Sequence, residues 1–172
     1  RSSDLINHKD KDNRINFKKI DAKNFFSRNK NQFDLILIKQ TIHLLDFKTI
    51  KKLLFLSKKS LTKNGKIFIF TLDTYQNELP TFKLMKTKLE KSLDRDKRIL
   101  EFISNLYPKR LKKKFIYNVK ILKKKYLEMI EERYISILLS LNNQQISIGL
   151  NEINSKYNKT IIFKDKLKCI VL

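Results

Sequence analysis

Two groups of side chains have the types and spacing that a ligand site requires. In the first group, Asp21 follows the alternating segment 14–20, and Lys39 and His43 follow the apolar run 33–38. A carboxylate at a strand end can accept hydrogen bonds from a ligand, although Asp also often starts a turn. Histidine is the usual general base near neutral pH, yet a lone histidine just beyond a strand is more often a packed residue. Lys39 either attracts an anionic group or extends into water.

The second group lies later in the chain and combines aromatic rings with charge. Arg133 can bind a substrate carboxylate through its two-pronged guanidinium, and Tyr126 and Tyr134 can form pocket walls. An amphipathic helix over residues 124–141, with Leu127, Ile130 and Tyr134 on its core face, explains the same spacing without any ligand. The helix is the preferred interpretation.

A strand, a helix and a second strand must position the first group. The run 33–38 is apolar and unpunctuated, which predicts a strand buried on both faces, as in the centre of a parallel sheet. Asp46 is a predicted N-cap, and the helix that follows it has an apolar face. Asn64-Gly65 predicts the helix exit, because both residues tolerate the left-handed conformation.

Residues 66–72 form a second apolar run and complete a predicted right-handed βαβ unit with parallel strands. Ligands bind at the carboxyl edge of such a sheet, where Lys39 and His43 fall. Downstream, helices are predicted over residues 82–93, 95–107, 124–141 and 144–157, and a strand over 115–122. Residues 75–157 are therefore assigned to a helical cap over the sheet, and residues 158–172 to one or two terminal strands.

Composition restricts the function classes. No stretch approaches the ~20 apolar residues of a membrane span, so a soluble, cytoplasmic protein is expected. The single Cys169 excludes an internal disulfide and lacks the partners of a metal site.

The net charge of +22 invites a nucleic-acid partner, but 32 of the 39 basic residues are Lys, and the Lys, Asn, Ile and Phe bias indicates an AT-rich coding sequence. Nucleic acid is therefore a partner that is not favoured.

The order of these elements resembles the C-terminal half of a class I S-adenosylmethionine-dependent methyltransferase of the small-molecule group. Three motifs carry the resemblance: Phe33-Asp34-Leu35-Ile36, Ile42-His43-Leu44, and residues 61–69 around Asn64-Gly65. The resemblance covers residues 1–72 and becomes only topological beyond them. It implies a Rossmann-like, open, mostly parallel α/β sheet whose cofactor-binding core spans residues 1–74.

The resemblance also implies a cofactor and roles for particular residues. The cofactor is S-adenosylmethionine, and its methyl group passes to an O, N or C nucleophile of a small molecule. The Asp21 carboxylate would accept a hydrogen bond from the adenine amino group, and the Ala22 amide would meet a ring nitrogen. Leu5 would form an apolar wall. Ile38, Lys39 and His43 would lie beside the methionine portion of the cofactor, with His43 more structural than catalytic.

Two family features do not occur in the sequence. The glycine-rich loop of the first strand and the ribose-binding acid both precede the matched region in the family, so the chain is expected to be a fragment that binds the cofactor poorly by itself. The usual Pro-Gly-Gly turn is Lys63-Asn64-Gly65 here. Two other functions stay open, namely a non-catalytic basic nucleic-acid-binding module and a degenerate methyltransferase-like partner subunit. The oligomeric state is open as well.

Overall fold

The computed structural model describes residues 18–172. Leu5 and most of the strand predicted over residues 14–20 lie outside the described residues. The helices and strands are α1 Ala22–Arg28, β1 Phe33–Lys39, α2 Phe47–Lys59, β2 Leu61–Leu72, α3 Lys83–Leu106, β3 Leu111–Leu122, α4 Lys123–Glu131, α5 Asn143–Lys156 and β4 Thr160–Val171. Short 3₁₀ helices span Ile42–Leu44 and Ser136–Ser140.

The four described strands form one mixed sheet in the order β1-β2-β4-β3. β1 and β2 are parallel, as predicted from the βαβ pattern, and α2 connects them. β4 is antiparallel to both of its neighbours, β2 and β3. The α/β class is therefore confirmed, but the described part of the sheet is mixed rather than mostly parallel.

α2 begins where the sequence predicts, because Asp46 caps it. The Asp46 Oδ1 accepts from the Thr49 amide at 2.8 Å, and Oδ2 accepts from the Thr49 hydroxyl at 2.9 Å. The buried face of the helix carries Ile50, Leu53 and Leu54, which pack on Ile67 and Ile69 of β2. The apolar stripe thus fixes how α2 lies on the sheet.

Asp46→Ala is expected to lower the free energy of unfolding by about 1 kcal/mol, because the first turn of α2 loses its side-chain acceptor. Chemical denaturation measures the change. Asp46→Asn is the matched control, since asparagine caps about as well as aspartate and should leave stability nearly unchanged. Equal losses in both variants would show that charge, not capping, is what Asp46 contributes.

The prediction for Asn64-Gly65 is wrong. α2 ends at Lys59, with Ser60 as its C-cap. Asn64 and Gly65 lie within β2 instead. No glycine of the described chain has a positive φ. Gly65 is required for space instead, because a Cβ there would lie 2.6 Å from the Phe33 carbonyl oxygen.

The prediction that β1 is buried on both faces is also wrong within the described residues. Ile36 is 7% exposed and faces the core, whereas Leu35 and Leu37 are 55% and 57% exposed. β1 lies at an edge of the described sheet, and α2 covers only one of its faces. An unbroken apolar run predicts a strand correctly here, but does not report how many of its faces are covered.

The two helices predicted over residues 82–107 are one helix, α3, of 24 residues. Neither glycine nor proline occurs between residues 83 and 106, so nothing in the sequence interrupts it; Pro108 follows its end as predicted. α3 connects two apolar clusters. Ile99 and Ile103 pack in the cluster under β1 and β2, and Met85 packs in a second cluster with α4 and α5.

The predicted helix over residues 124–141 is wrong in its second half. α4 ends at Glu131, and residues Ser136–Ser140 form a separate 3₁₀ helix. The strand predicted over residues 115–122 is confirmed and is longer, because β3 starts at Leu111. α5 is confirmed, and Asn142 and Gln145 form a reciprocal capping box at its start. The terminal residues form a single strand, β4, in which Cys169 is buried.

No helix within residues 18–172 combines the length and the apolar character that crossing a membrane requires.

Candidate functional site

A cavity of about 850 Å³ lies at the carboxyl ends of β1 and β2. Gln40 and His43, just after β1, and Leu72, at the end of β2, form its floor. The middle of α3 and residues 132–139, which run from the end of α4 into the second 3₁₀ helix, form most of its other walls. A volume of this size suits a small-molecule ligand.

Asp96 of α3 lines this cavity and is only 5% exposed. Its Oδ1 has no hydrogen-bond partner among residues 18–172. Burial raises the pKa of the Asp96 carboxyl to about 6, and the nearby charge of Arg95 acts in the opposite direction without cancelling the effect. At pH 7.5 the side chain is therefore mostly a buried, unpaired carboxylate, an arrangement that costs stability unless a ligand or water completes it.

His43 lines the same cavity from the 3₁₀ helix after β1. Its Nε2 is buried and, within the described residues, lacks a hydrogen-bond partner. Burial and the charge of Arg95 both lower its pKa, so the imidazole is neutral at pH 7. A neutral imidazole nitrogen can accept or donate one hydrogen bond, so His43 offers the cavity a second unused polar group.

Two residues of the described chain other than glycine have a positive φ, and both line the cavity. Gln40 has φ 51° and Arg133 has φ 54°. This left-handed conformation costs side-chain-bearing residues of the order of 1 kcal/mol, and such strain is concentrated at functional sites. The backbone N–H of Gln40 donates to the Phe70 carbonyl at 2.8 Å, and this bond holds Gln40 in the left-handed conformation.

Arg133 lies just beyond α4, after the C-cap residue Glu132, and its left-handed backbone is why the predicted helix does not continue. The Tyr134 amide donates to the Met129 carbonyl at 3.0 Å, closing the helix end over a left-handed residue, a position that glycine usually occupies. The Arg133 Nη2 donates to the Asn143 Oδ1 at 2.7 Å. The interpretation of Tyr134 as part of one helical stripe with Leu127 and Ile130 is thus wrong, and both Arg133 and Tyr134 line the cavity.

Tyr126 and Tyr134 meet through their hydroxyls, 3.1 Å apart. The Tyr126 hydroxyl also donates to the Pro80 carbonyl at 2.5 Å, and its side chain is buried in the second apolar cluster. Burial raises the pKa of Tyr134 to about 12, with Asp165 acting in the same direction, so both phenols stay protonated. Tyr126 is a core residue, and only Tyr134 of the pair lines the cavity.

The predicted cofactor residues fall in different places. Asp21 is the N-cap of α1, where its Oδ1 accepts from the Asn24 amide at 3.0 Å, and Ala22 is the first residue of that helix. Neither of them lines the cavity. Ile38 is half-buried against the first apolar cluster. Lys39 is exposed. Burial raises the pKa of the Asp165 carboxyl, and the charge of Lys39 acts in the opposite direction.

Asp96 is a site residue that the sequence prediction missed. It occupies an apolar position in α3, in line with Leu89, Leu93, Ile99 and Ile103, and a charged residue on an apolar stripe is the signal that identifies it. The sequence prediction divided α3 into two helices at Asp94, and this division concealed that Asp96 lies on the same apolar face as Leu93 and Ile99. Gln40 has no comparable signal, because its left-handed φ is imposed by pairing with β2.

Asp96→Asn is expected to stabilise the protein at pH 7.5 by about 1–2 kcal/mol, after allowance for solvent in the open cavity. The folded-state pKa of about 6 lies above the ordinary 3.8, so ionisation costs the folded state stability as pH rises between these values. Thermal melts at pH 4 and pH 7.5 measure the effect: the variant should gain at pH 7.5 and match the parent protein near pH 4. A gain that is equal at both pH values would contradict the assignment.

A scan against protein-family models finds no matching family, and a search of curated proteins finds no relative of this chain. Within residues 18–172, no group of three or more His, Cys, Asp or Glu side chains is arranged to hold a metal ion.

Proposed function

We propose that this chain contributes to an S-adenosylmethionine-dependent methyltransferase that acts on a small molecule. The observation that carries the proposal is the position of the 850 Å³ cavity, which opens at the carboxyl ends of the parallel strands β1 and β2. Ligands of open α/β sheets bind at that edge. Two motifs resemble the methyltransferase family: Phe33-Asp34-Leu35-Ile36 lies in β1, and Ile42-His43-Leu44 forms the 3₁₀ helix from which His43 lines the cavity.

The cap supports the same proposal. α3 and residues 132–139 cover the sheet edge and supply most of the cavity wall, as expected of a substrate-binding cap. S-adenosylmethionine would supply an activated methyl group, so the protein has mainly to align donor and acceptor and to exclude water. His43 and Asp96, the two cavity-lining residues of the described chain that have buried polar atoms without a hydrogen-bond partner, are candidates to orient an acceptor.

Calorimetric titration of the whole protein with S-adenosylmethionine and S-adenosylhomocysteine tests the function. We expect binding of both, and weaker binding by Asp21→Asn if Asp21 contacts the adenine. Asp34→Asn, a second exposed aspartate whose bond from the Thr62 hydroxyl an asparagine can keep, is the matched control. Absence of binding to the whole protein at about 1 mM would refute the function. Unchanged affinity in Asp21→Asn would refute only the adenine role.

A second candidate, nucleic-acid binding, is favoured by one surface. Tyr75 is 67% exposed, and the Lys168 and Lys97 ammonium groups lie 4.1 Å and 5.2 Å from its ring centroid, next to the three lysines 112–114 of β3. An aromatic ring among cations can stack with a base while lysines contact phosphates. Tight binding of single-stranded RNA with a steep dependence on salt would support this candidate, and Tyr75→Ala should then weaken it; weak binding at low salt would refute it.

A further inference from the structure

The charged side chains that line the cavity are mainly acidic, whereas those of the whole chain are mainly basic. The sequence contains 39 basic and 17 acidic residues. The cavity is lined by three carboxylates, Asp96, Glu132 and Asp165, against one cation, Arg133, and by no lysine. About two-thirds of the charged residues of the chain are basic, so the charged residues of the cavity wall depart from the composition of the chain.

The one lining cation is already used by the protein. The Arg133 guanidinium donates to the Asn143 Oδ1 at 2.7 Å and approaches the Leu141 carbonyl at 3.4 Å. The other lining group that can carry a positive charge, His43, is neutral because its pKa is lowered. Arg95 acts on both Asp96 and His43 through its charge but does not line the cavity. Lys39 acts on Asp165 in the same way, so the negative charge that is left for a ligand is centred on Asp96.

Asp96 is the carboxylate of this wall that lacks a hydrogen-bond partner among the described residues. It is 5% exposed, and none of the described residues pairs with its Oδ1. A buried carboxylate without a partner is costly, and a cationic N–H donor is the ligand group that satisfies it most strongly. The rest of the wall includes Leu72, Leu89 and Ile137, which suit an apolar body.

We propose that the cavity binds a small organic cation, a primary or secondary amine with an apolar body, whose N–H group donates to Asp96. A metal ion fits less well, because no group of three or more His, Cys, Asp or Glu side chains in residues 18–172 is arranged to hold one. That this amine is the methyl acceptor rests on the proposed function, whereas its binding does not require a methyl donor.

Ligand-observed NMR and calorimetry at pH 7.5, without any methyl donor, test the proposal with three probes of equal chain length. We expect hexylamine to bind, and hexanoate and hexanol to bind at least about 10-fold more weakly. Asp96→Asn should weaken hexylamine binding about 10- to 100-fold, the range of a charge-assisted hydrogen bond. The variant is expected to be at least as stable as the parent protein, so a loss of binding would not reflect unfolding.

Asp94→Asn is the matched control, since Asp94 is exposed on the same helix and its substitution removes the same charge. It should leave hexylamine affinity unchanged. Equal binding of hexylamine and hexanoate, or full affinity in Asp96→Asn, would overturn the proposal. Titration of the whole protein with S-adenosylmethionine in parallel separates the two hypotheses: amine binding without cofactor binding refutes the methyltransferase alone, and the reverse result refutes the amine site alone.

Discussion

Asp73→Ala is expected to lower the free energy of unfolding by about 2–4 kcal/mol. Asp73 is fully buried at the point where β2 leaves the sheet. The Lys114 ammonium lies 2.9 Å from its Oδ2, and the Lys168 ammonium lies 3.5 Å from its Oδ1, which also accepts from the Tyr75 amide. Removing the carboxylate leaves two cations from neighbouring strands without their shared partner, and urea denaturation measures the loss.

The same carboxylate makes stability depend on acid. Burial alone would raise its pKa, but the bonds from Lys114 and the Tyr75 amide and the charge of Lys168 outweigh burial and lower it to about 2. The stability that ionised Asp73 contributes is therefore present above its ordinary pKa of 3.8 and is lost as pH falls from there towards 2. Asp73→Asn should flatten this part of the stability–pH profile.

Glu78→Ala is the control for Asp73. Glu78 pairs with Lys166 of β4, but its side chain is 45% exposed, so water can replace the pair. It should reduce stability far less than Asp73→Ala. Comparable losses in the two variants would contradict the importance given to burial.

Gly149→Leu is expected to destabilise the protein by about 3 kcal/mol or to prevent folding. Gly149 lies in α5, where a Cβ would come within 2.7 Å of three ring atoms of Phe82. Phe82 is 2% exposed and packs in the second apolar cluster, so its ring has no free space to enter. Leucine favours helix more than glycine does, so any loss must come from packing.

Two comparisons isolate that cause by thermal and chemical denaturation. Asn151→Leu places the same side chain on an exposed position of α5 and should be neutral or slightly stabilising. In a double-mutant cycle, Gly149→Leu should cost much less in a Phe82→Ala background, where the ring is absent. Additive losses would show that the Phe82 contact does not determine the requirement for glycine.

The β1–α2–β2 unit could be predicted from the sequence because its signals are local. The Asp46 cap and the spacing of Ile50, Leu53 and Leu54 specify α2, and the length of the two apolar runs specifies strands. How far each strand is covered depends on the rest of the fold. Leu35 and Leu37 are therefore exposed although they belong to the same apolar run as Ile36.

The candidate site was predictable only in part, because its residues depend on contacts between distant segments. His43, Arg133 and Tyr134 were named from their chemistry and do line one cavity. The end of α4 could not be predicted, because arginine in a left-handed conformation has no sequence signal. The adenine role of Asp21 and Ala22 stays a prediction, as do those of Ile38 and Lys39, and the N-cap bond of Asp21 explains its position without a ligand.

The order of the strands has a consequence for biosynthesis. β4 lies between β2 and β3 in the sheet, although it follows both in the chain. Until residues 160–171 have left the ribosome, the inner edges of β2 and β3 stay unpaired and can associate with other nascent chains. Emergence of β4 is therefore the step at which translation allows the four strands to assemble, and a pause in elongation before residue 160 should prolong the interval in which chaperones are needed.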